Sequence, residues 1–348
     1  MELNCPLPKS DHDTVQMAHG GGGRMMRQLI EKVFLPGFAT GDPAKAAPAH
    51  DSAVLNTPAG RIAMTTDTFV VDPLFFPGGD IGHLAVCGTV NDLAMAGARP
   101  LALSCGFVLE EGFSLEKLEQ IVQSMKRTAD EVGVPIVTGD TKVVDRGRGD
   151  GVYINTAGVG LLDDGVDISP ARIQTGDAIL VTGDLGRHGI AVMSVREGLN
   201  FEGAPESDCA SLVDLVQTVL EADHDIHCMR DLTRGGLASA MCELAIDAKV
   251  GIRLEEAAIP VLPSVNGVCE LLGLDPLYVA NEGRMTIFVP AEAAEVMLAI
   301  LESHPAAVGP AIIGQVVEDH PGTVEMHNTL GARRIIDFLS GEQMPRIC

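Results

Sequence analysis

Cys348 closes the sequence, at the end of Ser-Gly-Glu-Gln-Met-Pro-Arg-Ile-Cys, a stretch with neither helical nor strand periodicity. Gly341 and Pro345 both oppose helix there. An accessible thiol is an oxidation liability, so a thiol on an aperiodic tail points to use rather than accident. Extended, the eight residues from Gly341 reach about 26 Å, enough to swing between a partner and a pocket. That reach suits a thiol that carries a small covalently held cargo.

Four further groups of residues have the types and spacing for chemistry. The run His19-Gly20-Gly21-Gly22-Gly23 precedes a helix, where bare backbone N–H groups and the helix end can face a phosphate. It lacks the Gly-Lys-Ser/Thr of a P-loop and follows no strand, and a plain linker is the competing reading. Asp51, Asp67, Asp92 and Asp140 stand next to apolar segments. Carboxylates in such places need a compensating cation or donors. Convergence on Mg²⁺, with Lys142 neutralising phosphate, would explain them; turn and cap roles are the alternative. Asp231-Leu232-Thr233-Arg234-Gly235-Gly236 follows a short strand and opens a helix, which suits an anion, another Mg²⁺ ligand or an ordinary cap. Glu282, in Asn281-Glu282-Gly283-Arg284, immediately precedes a strand, where it can serve as a base or sit in a surface turn. His224, Asp225, His227 and Cys228 read as structural, because adjacent residues of a strand point to opposite faces.

The elements that position these groups alternate between strand and helix. Met25, Met26, Leu29, Ile30 and Val33 predict a helix over 24–35, with a loop over 36–50. Strands are expected at 52–56 and 61–66 around Pro-Ala-Gly, then a helix capped by Asp80 and running to about Gly97. A strand at 101–109 precedes a helix capped by Ser114, striped with Leu118, Ile121, Val122 and Met125, and ended by Gly133. Strands at 135–138 and 152–162 complete the first half, with Asp140 and Lys142 just beyond the former. The pattern restarts at Ser169-Pro170, with strands at 177–182 and near 226–229, 251–254, 285–289 and 312–317. Helices alternate with them near 208–221, 234–248, 264–273 and 291–303. The expected division is a leader over 1–18, a first domain over 19–168, a second over 169–338 and a flexible tail over 339–348. The class is α/β (α+β).

Composition narrows the partners. With 348 residues, two domains of roughly 150 to 170 residues each are expected. The formal net charge is -24, there is no basic run and Trp is absent, which argues against nucleic acid. No apolar run is long enough for a membrane span, and the N-terminus lacks an export pattern. The eight cysteines form no C-x-x-C pair, as expected of a cytoplasmic chain with reduced thiols, most of them buried as small apolar residues.

Several segments together resemble the AIR-synthase-like superfamily of ATP-dependent enzymes. They are His-Gly-Gly-Gly-Gly-Arg at 19–24, His-Asp-Ser-Ala-Val at 50–54, Thr-Thr-Asp at 65–67 and Asn-Asp-Leu-Ala-Met-Ala-Gly-Ala at 91–98. Gly-Asp-Thr-Lys-Val-Val at 139–144, Arg-Asp-Leu-Thr-Arg-Gly-Gly at 230–236 and Ala-Asn-Glu-Gly at 280–283 continue the series. Ser52 departs from it, since many members carry a second acid there. The terminal Pro-Arg-Ile-Cys at 345–348 is similar to that of the HypE family of hydrogenase maturation factors.

The resemblance implies a homodimer whose first domains pair into a β-barrel, a C-terminal α/β sandwich and ATP with Mg²⁺ at the pairing interface. It implies metal ligands at Asp51, Asp67, Asp92 and Asp231. Cofactor contacts fall on His19, Gly20, Gly21, Gly22, Gly23, Thr66, Asn91, Asp140 and Arg234, and catalytic roles on Cys348, Glu282 and Lys142. The implied reaction is ATP-dependent dehydration of an S-carbamoyl group on Cys348 to a thiocyanate. The carbamoyltransferase HypF would load the thiol, and a HypC–HypD complex would pass the cyanide to the iron of [NiFe]-hydrogenase. A selenophosphate synthetase would need a reactive Cys in the Gly-rich segment, and residues 19–24 have none. A thiol carrier whose ATP site only sets the tail's position is the non-enzyme alternative.

Overall fold

The computed structural model describes residues 19, 21–34, 50–58, 60–199, 203–222, 224–328, 331–339, 344 and 346–348. The expected leader, Gly20, nearly all of the 36–50 loop and half of the 339–348 tail lie outside them.

After a short helix α1 (Arg24–Leu29) come strands β1 (Ala53–Thr57) and β2 (Gly60–Phe69), and a small hairpin of β3 (Phe75–Phe76) and β4 (Gly79–Asp80). Helix α2 (Ile81–Met95), strand β5 (Arg99–Glu110), helix α3 (Leu115–Val132), and strands β6 (Ile136–Val144) and β7 (Val152–Leu162) complete the first half. Five of these strands form one sheet in the order β1-β2-β7-β5-β6. Asp80 caps α2 as expected, accepting from the N–H groups of Gly82 at 2.8 Å and His83 at 3.2 Å. Ser114 caps α3, and Gly133 ends it in the left-handed conformation.

One boundary differs from the sequence reading in a way that matters for the site. Strand β6 continues through Gly139-Asp140-Thr141-Lys142 instead of ending at Thr138. Parallel pairing with β5 carries it on, and Gly139 permits the close approach: a Cβ there would lie 2.2 Å from the Cys105 carbonyl oxygen. Glycine weakens strand propensity in isolation, so the sequence reads as a stop where the sheet continues.

The second half contains β8 (Asp177–Val181), α4 (Arg187–Arg196), α5 (Val213–Glu221), β9 (Cys228–Asp231) and α6 (Gly236–Ala248). It continues with β10 (Gly251–Glu255), α7 (Pro263–Leu272), β11 (Met285–Pro290), α8 (Ala294–Ser303), β12 (Ala311–Val317), β13 (Val324–His327) and β14 (Arg333–Ile336). Their sheet order is β14-β13-β10-β12-β8-β11-β9. The architecture is mixed α/β, and the sheets are open in the single chain.

Helix α2 occupies the centre. It is apolar on nearly every side and buried along almost its whole length, as a helix must be when it packs on both flanks. One flank meets β2 and β7; the other meets α5 and β9. The apolar cluster around it joins Phe69, Leu84 and Ile154 of the first half to Ile190 and Val265 of the second. Met344 and Ile347 of the C-terminal segment belong to the same cluster. Burying each contributes about 1.5–3 kcal/mol, so the end of the chain has a packed position.

Candidate active site

Strand alternation decides which side chains meet. On β2, Ala63, Thr65, Asp67 and Phe69 face α2, while Met64, Thr66 and Thr68 face away. Asp92 approaches from the last turns of α2, where the Thr65 hydroxyl donates to its Oδ2 at 2.7 Å. Asp51 enters from just before β1; its carbonyl also lies 3.1 Å from the Thr65 hydroxyl. Asp231 arrives at the end of β9. Thus four carboxylates from separate segments share one buried neighbourhood.

Their electrostatics reflect this crowding. Burial, then the charges of Asp231, Asp67 and Asp51, push the Asp92 carboxyl well above the usual carboxylate range. Burial and Asp51 raise Asp231 to about 8. Burial raises Asp67, against the pull of Arg234. Arg230 partly compensates, with its Nε 2.9 Å from Asp51 Oδ1, and Glu243 also binds its guanidinium. Asp51 Oδ2 is buried without a hydrogen-bond partner. An orphaned carboxylate oxygen beside three acids that resist ionisation fits an oxygen-liganded divalent cation such as Mg²⁺.

Glu282 borders this neighbourhood. Its loop is fixed by Asp208 Oδ2, which accepts from the N–H groups of Glu282 at 3.2 Å and Gly283 at 3.0 Å. A Cβ on Gly283 would lie 1.9 Å from the Asp208 carbonyl oxygen, so this close approach requires glycine. Burial, then the charges of Asp231 and Asp67, raise Glu282 well above its ordinary value, and its Oε1 has no hydrogen-bond partner.

The Cys348 thiol comes to Glu282. Burial, and then the nearby charge of Glu282, raise the thiol well above its ordinary value. Arg234 lies close enough to oppose that shift, and Asp67 close enough to add to it. The backbone just before the thiol is gripped. The buried His188 Nε2 bonds the Ile347 carbonyl at 2.8 Å, and the Arg346 carbonyl accepts from Asp72 N–H at 3.1 Å and Arg196 Nη2 at 2.7 Å. Residues 346–348 therefore dock with the sulfur inside the acidic pocket.

The glycine run lies against the same place. A Cβ on Gly22 would fall 2.7 Å from the Arg234 carbonyl oxygen, and one on Gly235 would fall 3.0 Å from the Gly22 carbonyl oxygen. Gly23 approaches the Leu339 carbonyl in the same way, at 2.9 Å. Two glycine turns thus pack back to back, as a close backbone approach demands. His19 is half-buried beside them.

Other expected site residues lie elsewhere in the single chain. Thr66 points to the opposite face of the sheet, where its hydroxyl accepts from Asn155 Nδ2 at 3.2 Å; its neighbour Thr65 is the one that reaches Asp92. Asn91 is buried with both ends of its amide engaged, donating to the Ala210 carbonyl at 3.0 Å and accepting from Leu212 N–H at 2.7 Å. It ties α2 to the second half. Asp140 and Lys142 pair with each other at 2.8 Å on the outward sheet face, in register with Gly106 and Val108, away from the aspartates. The sequence reading passed over Thr65, Arg230, Glu243, His188 and Arg196. Arg230 adjoins Asp231 in the quoted motif, but nothing in its spacing reveals a partner 179 positions away; burial alone does so.

The comparisons agree with this geometry. The family model for the AIR synthase related protein N-terminal domain matches residues 49–162, and that for the C-terminal domain matches 174–327. The carbamoyl dehydratase HypE of Azotobacter vinelandii is 51% identical over 335 residues, covering 96% of this chain and 97% of that protein. The carbamoyl dehydratase HypE of Escherichia coli K12 is 46% identical over 338 residues, covering 97% and 100%. Among solved structures, hydrogenase maturation protein HypE in complex with ATP superposes with a TM-score of 0.81 at 46% identity, covering 96% of this chain and 100% of that one. A HypE–HypF complex gives a TM-score of 0.83 at 43% identity, covering 89% and 99%. Matched over nearly its whole length by these relatives, with a docked terminal thiol beside a buried acidic pocket, the chain belongs to the HypE carbamoyl dehydratase family of AIR synthase related proteins.

Proposed function

We propose that this protein dehydrates an S-carbamoyl group held on Cys348 to a thiocyanate at the expense of ATP, in hydrogenase maturation. The observation that carries the reading is the Cys348 thiol placed beside Glu282 at the four-aspartate pocket. A thiol held neutral by burial is a poor attacking group but a suitable tether, since only its bond to the cargo carbon has to last.

The conversion removes the carbamoyl oxygen and both protons from nitrogen, leaving the sulfur–carbon bond intact. ATP bound with Mg²⁺ supplies a phosphoryl group that turns the oxygen into a phosphate leaving group. Asp51, Asp67, Asp92 and Asp231 would hold the cation, and the Gly21–Gly23 turn offers backbone N–H groups to the phosphates. One nitrogen proton is lost to solvent as the oxygen is phosphorylated, and Glu282, near the sulfur, takes the other as phosphate departs; burial makes its carboxylate a stronger base than a solvated one. Arg234 offsets negative charge between Asp67 and the thiol.

Lys142, Asp140 and Thr66 belong to the reading through a second copy. The outward face of the five-stranded sheet exposes Leu55, Met64 and Leu161 beside them. Pairing of two such faces would cover this apolar surface and bring one copy's Lys142 towards ATP held by the other. HypF is the loading partner supported by the solved complex of a relative. HypC–HypD as acceptor and a cytoplasmic location complete the proposal; no helix among the described residues is long and apolar enough to cross a membrane.

The test is mass spectrometry of the C-terminal peptide after incubation with HypF, carbamoyl phosphate and ATP. A carbamoyl adduct on Cys348 that loses one water only with Mg-ATP is expected. An unmodified tail, or an adduct that never loses water, rejects the reading; the latter leaves a carrier.

A further inference from the structure

The opposite end of helix α2 holds a second group of reactive side chains that the dehydration does not use. His83 and Cys87 are one turn apart on α2, and Cys209 comes from the segment before α5. The imidazole nitrogen and the two sulfurs lie within 4.8 Å of one another. Cys87 Sγ is 3.7 Å from His83 Nε2, close to the ligand-to-ligand spacing around a tetrahedral ion. Both cysteines are buried and free, and they border a cleft of about 540 Å³ lined by Thr128, Glu131 and Asp214.

The hydrogen bonds of His83 indicate what is missing. The Thr128 hydroxyl donates to the Ser124 carbonyl at 3.0 Å, so its oxygen is left to accept from His83 Nδ1–H at 2.8 Å. His83 Nε2 faces the Cys209 carbonyl at 3.0 Å, which also demands a proton or another positive centre on Nε2. Neutral imidazole carries only one N–H and cannot satisfy both acceptors. Either a second proton, giving imidazolium, or a cation at Nε2 meets this demand, on the side where Cys87 and Cys209 converge. The Nδ1–H to Thr128 contact is the orienting bond that metal-ligating histidines usually make.

We propose that His83, Cys87 and Cys209 form a binding site for a thiophilic divalent ion of the Zn²⁺ class. Glu131 or water from the cleft supplies the fourth ligand. On binding, Nε2 turns from the Cys209 carbonyl to the ion, which takes the place of any proton on Nε2 and on the two sulfurs; these protons are released to solvent, and no electron is transferred. Two nitrogen-or-sulfur donors on α2 and one from the second half make the ion a clasp between the halves. Cys209 follows Asp208, the residue that fixes the Glu282 loop, so the clasp bears on the position of the base.

The experiment titrates chelator-treated full-length protein with Co²⁺ in excess Mg²⁺, then displaces it with Zn²⁺. One equivalent with an intense thiolate-to-cobalt band is expected, lost in Cys87→Ser and Cys209→Ser and kept in Cys348→Ala. X-ray absorption at the zinc edge of wild-type protein gives a readout independent of whether the variants fold; two sulfur neighbours are expected. A purely oxygen and nitrogen shell, no thiolate band, or a band that survives both serine variants overturns the proposal.

Discussion

Helix α2 ends in two very different pockets. At its C-terminal end Asp92 meets three other aspartates, with oxygen donors that compete with one another for protons. At its N-terminal end His83 and Cys87 meet Cys209, with softer donors that share protons already. The first pocket is suited to a hard, readily exchanged cation delivered with a nucleotide; the second is suited to a tightly held ion. One buried helix thus separates a place for turnover from a place for fastening. Repulsion among like charges marks the former, and a complementary imidazole–thiol pair marks the latter.

The largest effect that would sharpen this contrast is expected from Cys348→Ala. Thiocyanate formation should vanish in the mass-spectrometric assay, while ATP binding by calorimetry stays close to wild type. Next is Glu282→Gln, which should slow dehydration about 10²–10⁴-fold and let carbamoylated Cys348 accumulate in single-turnover samples. Unaltered turnover would remove Glu282 from the chemistry.

Asp231→Asn probes the acidic pocket through stability. The Asp231 carboxyl is raised to about 8 in the folded protein, above its ordinary 3.8, so the folded state holds the proton more tightly. Its stabilising contribution is therefore present at acid pH and lost as the pH rises through about 8. Metal-free wild type should lose on the order of a few kcal/mol between about pH 4 and about pH 8 in thermal melts, a loss shared with Asp67 and Asp92. The Asn variant should lose less and melt higher at pH 8, yet fail to bind Mg-ATP. A steeper slope in the variant would break the account. The smallest effect is expected from His83→Ala: dehydration falls less than tenfold, and Zn²⁺ no longer raises the melting temperature. A collapse of activity comparable to Glu282→Gln would erase the distinction between the two pockets.

Much of this arrangement was legible in the residues, and the remainder shows what spacing omits. Asp51, Asp67, Asp92 and Asp140 stand out as carboxylates beside apolar runs, and Asp231 as the start of a strand-to-helix turn; the structure brings all but Asp140 together. Asp80 and Ser114 capped the helices that local chemistry assigned them. That Thr65, and not Thr66, turns towards Asp92 is hidden in the sequence because the inward face of β2 depends on register, and a shift of one residue exchanges the faces. Asp140 and Lys142 were set beyond a strand that in fact runs through them, since Gly139 is demanded by the Cys105 carbonyl and not by a turn. Cys87 and Cys209 read as apolar filler, for no local pattern links residues 122 positions apart. Only the packing of α2 against the segment before α5 makes them neighbours.

The grip on the C-terminus is made upstream of the sulfur: Asp72, Arg196 and His188 hold the carbonyls of Arg346 and Ile347, the Arg346 guanidinium pairs with Asp72 and Asp150, and Met344 and Ile347 pack into the apolar cluster. Such a hold is blind to what the sulfur carries. On the proposed function, empty, loaded and finished tails would be grasped alike, so the arm would have no built-in preference for the stage of its freight. Discrimination must then arise within the few ångströms around Glu282, where a bulkier or more linear headgroup either fits or is expelled. The timing of the proposed delivery would then be set by the shape of the cargo rather than by the arm.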